Sequence, residues 1–132
     1  MPASFANEME GRIINLTLPY PPSTNNLYRT LVLPGKPPIR VLSGKAKQYK
    51  TAVAKICKAE RAEPFVGEVA MKILVFRPRR AGDLDGHFKA VIDGLKGFAF
   101  LDDKQVSWLF AERFEDKDEP RVEVQIWSRS SL

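Results

Sequence analysis

Two aspartates, Asp83 and Asp85, stand two residues apart in the stretch Arg77-Pro78-Arg79-Arg80-Ala81-Gly82-Asp83-Leu84-Asp85-Gly86-His87-Phe88-Lys89, and a second acidic pair, Asp102-Asp103, follows further on. On extended backbone, side chains at i and i+2 project to the same side. Two carboxylates held about 4 Å apart repel by about 1 kcal/mol in water and about 4 kcal/mol at an effective dielectric near 20. Such a cluster needs a proton or a cation. Mg²⁺ suits it, because that hard ion takes oxygen ligands and is commonly held by one or two carboxylates together with water and phosphate. Arg77, Arg79 and Arg80 lie immediately upstream, and guanidinium groups grip phosphate bidentately. Carboxylates beside an arginine run point to metal-assisted chemistry on a phosphodiester.

The elements that must position these residues are legible in the hydrophobic pattern. Val69, Met71, Ile73 and Val75 alternate with Ala70, Lys72, Leu74 and Phe76, which predicts a central strand over 68–76. Pro78 and Gly82 end its pairing, so Asp83 and Asp85 fall just beyond a strand end. Asp85 is also a competent N-cap for a helix over 86–97, in which Phe88, Val91, Ile92 and Leu95 form an i, i+3, i+4, i+7 stripe. Lys89 then sits one turn above Asp85, facing away from the core, with Asp93 another turn on. An i, i+4 Asp–Lys pair contributes only about 0.2–0.5 kcal/mol, so stability gives little reason for that arrangement.

Upstream, residues 13–18 read as a strand stopped by Pro19, Pro21 and Pro22. The turn-rich run that follows contains Asn25, Asn26, Tyr28 and Arg29, whose side chains either hydrogen-bond local backbone or reach a phosphate or a partner subunit. Residues 31–42 predict a loop or weak hairpin with basic tips at Lys36 and Arg40. Ser43 caps a helix running to about Glu60, with Ala46, Tyr49, Val53, Ile56 and Cys57 on its apolar face. Lys45, Lys47, Lys50, Lys55 and Lys58 line the polar face, either simply solvated or as a ridge that follows phosphates. Downstream, 106–114 and 121–127 read as strands joined by an acidic turn. The first of them can pair near the strand that ends at Arg77, so that the Asp102-Asp103 turn is expected to converge on Asp83 and Asp85. The predicted fold is α+β, a small mixed sheet of about four to five strands with two main helices packed on it. One domain spans 13–127, after a flexible lead-in over 1–12 and before a tail over 128–132.

The composition agrees. A chain of 132 residues forms one domain able to bury about two thirds of its unfolded surface. Apolar and charged fractions of 44% and 28% are ordinary for a globular protein, which argues against disorder. No apolar run approaches the roughly 20 residues of a membrane span, and the first residues lack the pattern of a signal peptide, so a cytoplasmic setting is expected. The single cysteine, Cys57, excludes an internal disulfide and a multi-cysteine zinc site. Net charge is +5, yet residues 112–119 hold five acidic groups against two basic ones, a local −3 that leaves +8 on the rest. A basic body with one acidic turn favours a polyanionic partner.

Other chemistries fare worse. His87 is the sole histidine, so no Ser-His-Asp or Cys-His arrangement forms unless it works alone. Neither a phosphate-binding G-x-x-x-x-G-K-[ST] loop nor a G-x-G-x-x-G turn is present. Trp108 and Trp127 read as core or interface residues in preference to base-stacking ones. The competing class is a non-catalytic DNA-binding module in which the aspartates only cap and turn.

Three blocks carry a resemblance: Thr17-Leu18-Pro19-Tyr20-Pro21-Pro22-Ser23 with Asn25-Asn26-Leu27-Tyr28-Arg29; Arg79-Arg80-Ala81-Gly82-Asp83-Leu84-Asp85 with Lys89-Ala90-Val91-Ile92-Asp93-Gly94-Leu95; and Leu101-Asp102-Asp103-Lys104-Gln105-Val106. In these the sequence resembles the RusA family of Holliday junction resolvases, over nearly the whole chain from Ile14 to Trp127. The resemblance implies a homodimeric, Mg²⁺-dependent nuclease for branched DNA, the four-way junction above all. It implies that Asp83, Asp85 and Asp103 are the essential, metal-holding acids, that Lys89 stabilises developing charge or orients water, and that Asp102 and Asp93 support them. Phosphate contacts are expected from Arg29, Lys36, Arg40, Lys45, Lys47, Lys50, Arg77, Arg79 and Arg80. Gly86 departs from the pattern: family members commonly carry Asn there, and glycine offers no side chain to orient Asp85. A nuclease acting on flaps or forks would share the same site.

Overall fold

The computed structural model describes residues 12–23, 26–79 and 87–129. Strand β1 (Ile13–Pro19) leads to a hairpin of β2 (Tyr28–Leu31) and β3 (Ile39–Leu42), then helix α1 (Gly44–Ala59). Strand β4 (Val69–Arg77), helix α2 (Phe88–Leu95), a single 3₁₀ turn (Asp103–Gln105) and strands β5 (Val106–Glu115) and β6 (Arg121–Ser128) complete the chain. The main sheet has the order β1-β6-β4-β5, and β2-β3 form a separate two-stranded sheet. This is the expected α+β architecture, with a four-stranded mixed sheet and two helices.

The strand registers explain the core. Alternate residues fall into rows across the sheet: Ile14, Ile126 and Met71; Leu16, Val124 and Ile73; Leu18, Val122 and Val75. All nine are buried and share one cluster with Tyr49, Val53 and Cys57 of α1 and Val91 and Leu95 of α2. The helices therefore cover this face, and the period-two pattern of β4 meets the 3.6-residue stripes of α1 and α2. Where the helices touch, Gly94 lets them approach: a Cβ there would stand 3.3 Å from the Val53 side chain.

The helix boundaries follow local chemistry. Ser43 caps α1 as predicted, its Oγ accepting the Ala46 amide at 3.1 Å. Its own amide donates to the Leu27 carbonyl at 2.9 Å, which ties the hairpin to the start of the helix. Helix α2 begins after His87, and no side-chain hydrogen bond from His87 caps it. The predicted cap, Asp85, lies outside the described residues.

Strand β4 is central, as expected. It runs parallel to β5 and antiparallel to β6. The acidic turn joining β5 to β6 therefore carries the chain across the end of β4, where the Asp116 amide donates to the Arg77 carbonyl at 2.9 Å.

Candidate nucleic-acid interface and carboxylate site

The basic candidates are carried by the β2-β3 hairpin, the first turns of α1 and α2, and the end of β4. His87, at the start of α2, lies 3.1 Å from the Tyr20 hydroxyl through Nε2. Tyr20 follows β1, whose last residue Pro19 stands opposite Arg121, itself opposite Phe76. A recess lined by Tyr28, Leu42, Ala46, Tyr49, Lys50, Ala90 and Asp93 marks where the hairpin and the first turns of both helices meet. Lys50 lines it, and Arg29, Lys36, Arg40, Lys45, Lys47, Lys50, Arg79 and Lys89 are all exposed. Arg40 stacks on the Tyr28 ring at 4.5 Å and Lys89 Nζ stands 5.6 Å from the same ring centre. One tyrosine thus stands beside two cations, a role the sequence reading did not assign to Tyr28.

Lys89 remains a cation in this setting. A hydrogen bond with Tyr28, then the electrostatic influence of Tyr28 and of Asp93, raise its pKa above the ordinary 10.5. His87 is the opposite case. Burial first, then the positive charges of Arg77 and Arg113, lower its pKa, so at neutral pH the imidazole is uncharged. Among the described residues its buried Nδ1 has no hydrogen-bond partner. The Tyr20–His87 pair was not foreseen; nothing local links residues this far apart in the chain.

Arg77 corrects one expectation. Its residue is only 6% exposed, and its guanidinium faces Glu115 at 3.6 Å. It links the ends of β4 and β5, where the expectation had it exposed to a phosphate. Asp83, Asp85 and Arg80 lie outside the described residues.

Asp102 and Asp103 have distinct surroundings. The Asp102 carboxylate accepts the Lys104 amide at 2.9 Å and caps the 3₁₀ turn, and this bond is the main reason its pKa lies below the usual value. Gln105 completes a capping box, its Oε1 accepting the Leu101 and Asp102 amides at 2.7 and 2.9 Å. Its Nε2 donates to the Phe65 and Gly67 carbonyls, both at 2.8 Å, and so pins the turn to the start of β4. Asp102 thus has a structural task, while Asp103 is exposed beside it.

The expected convergence of this turn with the Arg77 end does not occur within one chain. Strand β5 does pair with β4, but in parallel, with Val106 opposite Val69 and Glu115 opposite Arg77. Asp103 is therefore at the beginning of β4, separated from Arg77 by the nine residues of that strand, about 26 Å at 3.3 Å per step. Among the described residues no group of three His, Cys, Asp or Glu could hold a metal ion.

An α+β domain with exposed lysines and arginines on its hairpin and on the first turns of both helices is suited to meet a polyanion. A family model, endodeoxyribonuclease RusA, matches residues 19–127, and the chain belongs to that family. The family comprises endonucleases that resolve Holliday junctions. Among curated proteins no sequence matches significantly. Among the described residues no helix is long and apolar enough to cross a membrane.

Proposed function

We propose that this chain is a Mg²⁺-dependent nuclease that resolves four-way DNA junctions as a homodimer, each site using Asp83, Asp85 and Lys89 of one protomer and Asp103 of the other. The observation that carries the composite arrangement is the parallel register of β4 and β5. In the sequence Asp85 comes two residues before His87, which stands at the start of α2. Asp103 stands at the beginning of β4, the opposite end of that strand from Arg77. A second copy of the chain supplies what one copy keeps apart.

The donor set fits a hard divalent cation, because all three candidates are carboxylates and Asp103 is an exposed one. A cation bound there would neutralise phosphate charge and lower the pKa of a bound water. The protein's own part follows from its side chains. Lys89, kept protonated by Tyr28, offers a fixed positive charge to the negative charge that develops on the phosphate. Arg29, Lys36, Arg40, Lys45, Lys47, Lys50 and Arg79 position the strand through its phosphates, so junction preference comes from shape more than from base edges. Two sites related by a two-fold axis match the two symmetrical nicks that resolution requires.

Mixing inactive subunits tests this. Asp85→Asn and Asp103→Asn should each bind a synthetic junction in Mg²⁺ yet fail to cut it. In a mixed dimer, one site carries both substitutions and the other none. Mixing should therefore restore nicking of one strand without full resolution. If the mixture stays inactive while mixed dimers demonstrably form, the shared site is wrong. If the single variants cut normally, so is the nuclease assignment to these residues.

A further inference from the structure

Asp103 is exposed, yet the backbone on either side of it is held. The Val106 amide donates to the Asp103 carbonyl, the Gln105 amide to the Asp102 carbonyl at 3.0 Å, and the Lys104 amide to the Asp102 carboxylate at 2.9 Å. A cap needs no more than such local bonds. Gln105 adds others: its Oε1 accepts the Leu101 and Asp102 amides, while its Nε2 donates to the carbonyls of Phe65 and Gly67, 40 and 38 residues earlier in the chain. Both acceptor positions and both donors of the side-chain amide are thereby used. The anchors are themselves fixed. Phe65 is buried, its amide donates to the Ala99 carbonyl at 2.9 Å, and the Arg12 guanidinium lies over its ring at 4.1 Å. Gly67 has a φ of +91°, a conformation that side chains rarely allow. Ionised glutamate would lack the two donors, and methionine, of similar length, offers only a weak acceptor.

We propose that Gln105 is a positioning residue for the metal site: by pinning the turn to the start of β4 it holds Asp103 in one place, ready to meet the cation. The proposal rests on the role given to Asp103 above. A ligand on a loose turn must lose backbone freedom each time the ion binds, and that loss subtracts from affinity. A ligand on a turn already fixed avoids it. The polar atoms of Gln105 are occupied by four backbone groups, so its part is played through Asp103 and not by touching ion or DNA. Its removal should therefore change how much Mg²⁺ the protein needs and leave its grip on the junction as it was.

Gln105→Met keeps the length of the side chain and removes its four bonds. The Leu101 and Asp102 amides should then exchange with solvent faster, with the parent's circular dichroism retained. Mg²⁺ titrated into the protein without DNA, followed by the amide resonances of residues 102–104, should reach its midpoint at a concentration about 10–100-fold higher than in the parent, the usual effect of removing a group that orients a metal ligand. The Mg²⁺ needed for half-maximal junction cleavage should rise by a similar factor, and metal-free junction binding should not change. Gln125→Met, which removes a side-chain hydrogen bond to Asn15 at 2.9 Å, should leave both midpoints where they are. At a Mg²⁺ concentration where Gln105→Met is inactive, mixing it with Asp85→Asn subunits should restore nicking of one strand, because one site of the mixed dimer then has an intact Asp85 and a well-held Asp103. Mixing it with Asp103→Asn should restore nothing. An unchanged Mg²⁺ midpoint in Gln105→Met, or equal restoration by both partners, would overturn the positioning role. If Gln105→Met loses the parent's circular dichroism, Gln105→Asn replaces it under the same criteria, since its amide sits one carbon nearer the backbone and cannot keep both pairs of partners. Should Asp103→Asn cut junctions normally, the reading of Asp103 fails and the pin with it. An inactive Asp103→Asn beside a Gln105→Met with the parent's midpoint removes the pin alone.

Discussion

At the scale of single residues, Lys89 shows how a side chain is set up for one charge state. Its neighbours favour the ammonium form, so a pKa above 10.5 keeps it positive throughout the usable range. Junction cleavage followed against pH should show no fall from Lys89 deprotonation below that value. Lys89→Ala should lower the cleavage rate by about 10²–10³-fold, the usual effect of removing one such stabilising group, with junction binding largely kept. His87 stays neutral instead, held in place by Tyr20. The proposed chemistry rests on local signals at this scale, carboxylates near arginines and a lysine at helical spacing. Which arginine is exposed is not one of them. Arg77 reads like Arg79 in the sequence, and only the pairing of β4 with β5 sets it against Glu115.

At the scale of elements, Ser43 and Gly94 govern how the helices meet the rest. Ser43→Ala removes the cap of α1 and should cost about 1 kcal/mol in chemical denaturation. Gly94→Leu forces bulk against Val53 in a full core and should cost about 1–3 kcal/mol, read as a lower denaturation midpoint with an unchanged slope. Helix α1, the central strand β4 and strands β5 and β6 were predictable because their periodicities span many residues. Helix α2 proved shorter than the 86–97 that its stripe suggested, running from Phe88 to Leu95. Strand direction was the missing piece. The pattern of 106–114 fits a parallel or an antiparallel neighbour equally well, and that choice places Asp103 near Arg77 or far from it. The capping box at Asp102 was hidden for a similar reason, since its anchors at Phe65 and Gly67 are distant in sequence.

At the scale of the whole molecule, charge is sorted by location. Exposed cations surround the hairpin and the starts of both helices, while Asp116 folds the acidic turn on itself by accepting the Asp118 and Glu119 amides and pairing with Arg121 at 2.8 Å. Junction affinity should fall steeply with salt, and each of Lys45→Ala, Lys47→Ala and Lys50→Ala should reduce the slope of log K against log salt by about 0.9 if its ammonium meets a phosphate. Strand β6 has a different importance, because it is hydrogen-bonded to β1 on one side and β4 on the other. During synthesis the first strand and the central one must wait for this late segment before they belong to a single sheet. The nascent chain therefore cannot complete this sheet until β6 has been made, a window in which chaperone capture competes with self-association. A stop codon just before Arg121 would leave a product that never assembles its sheet.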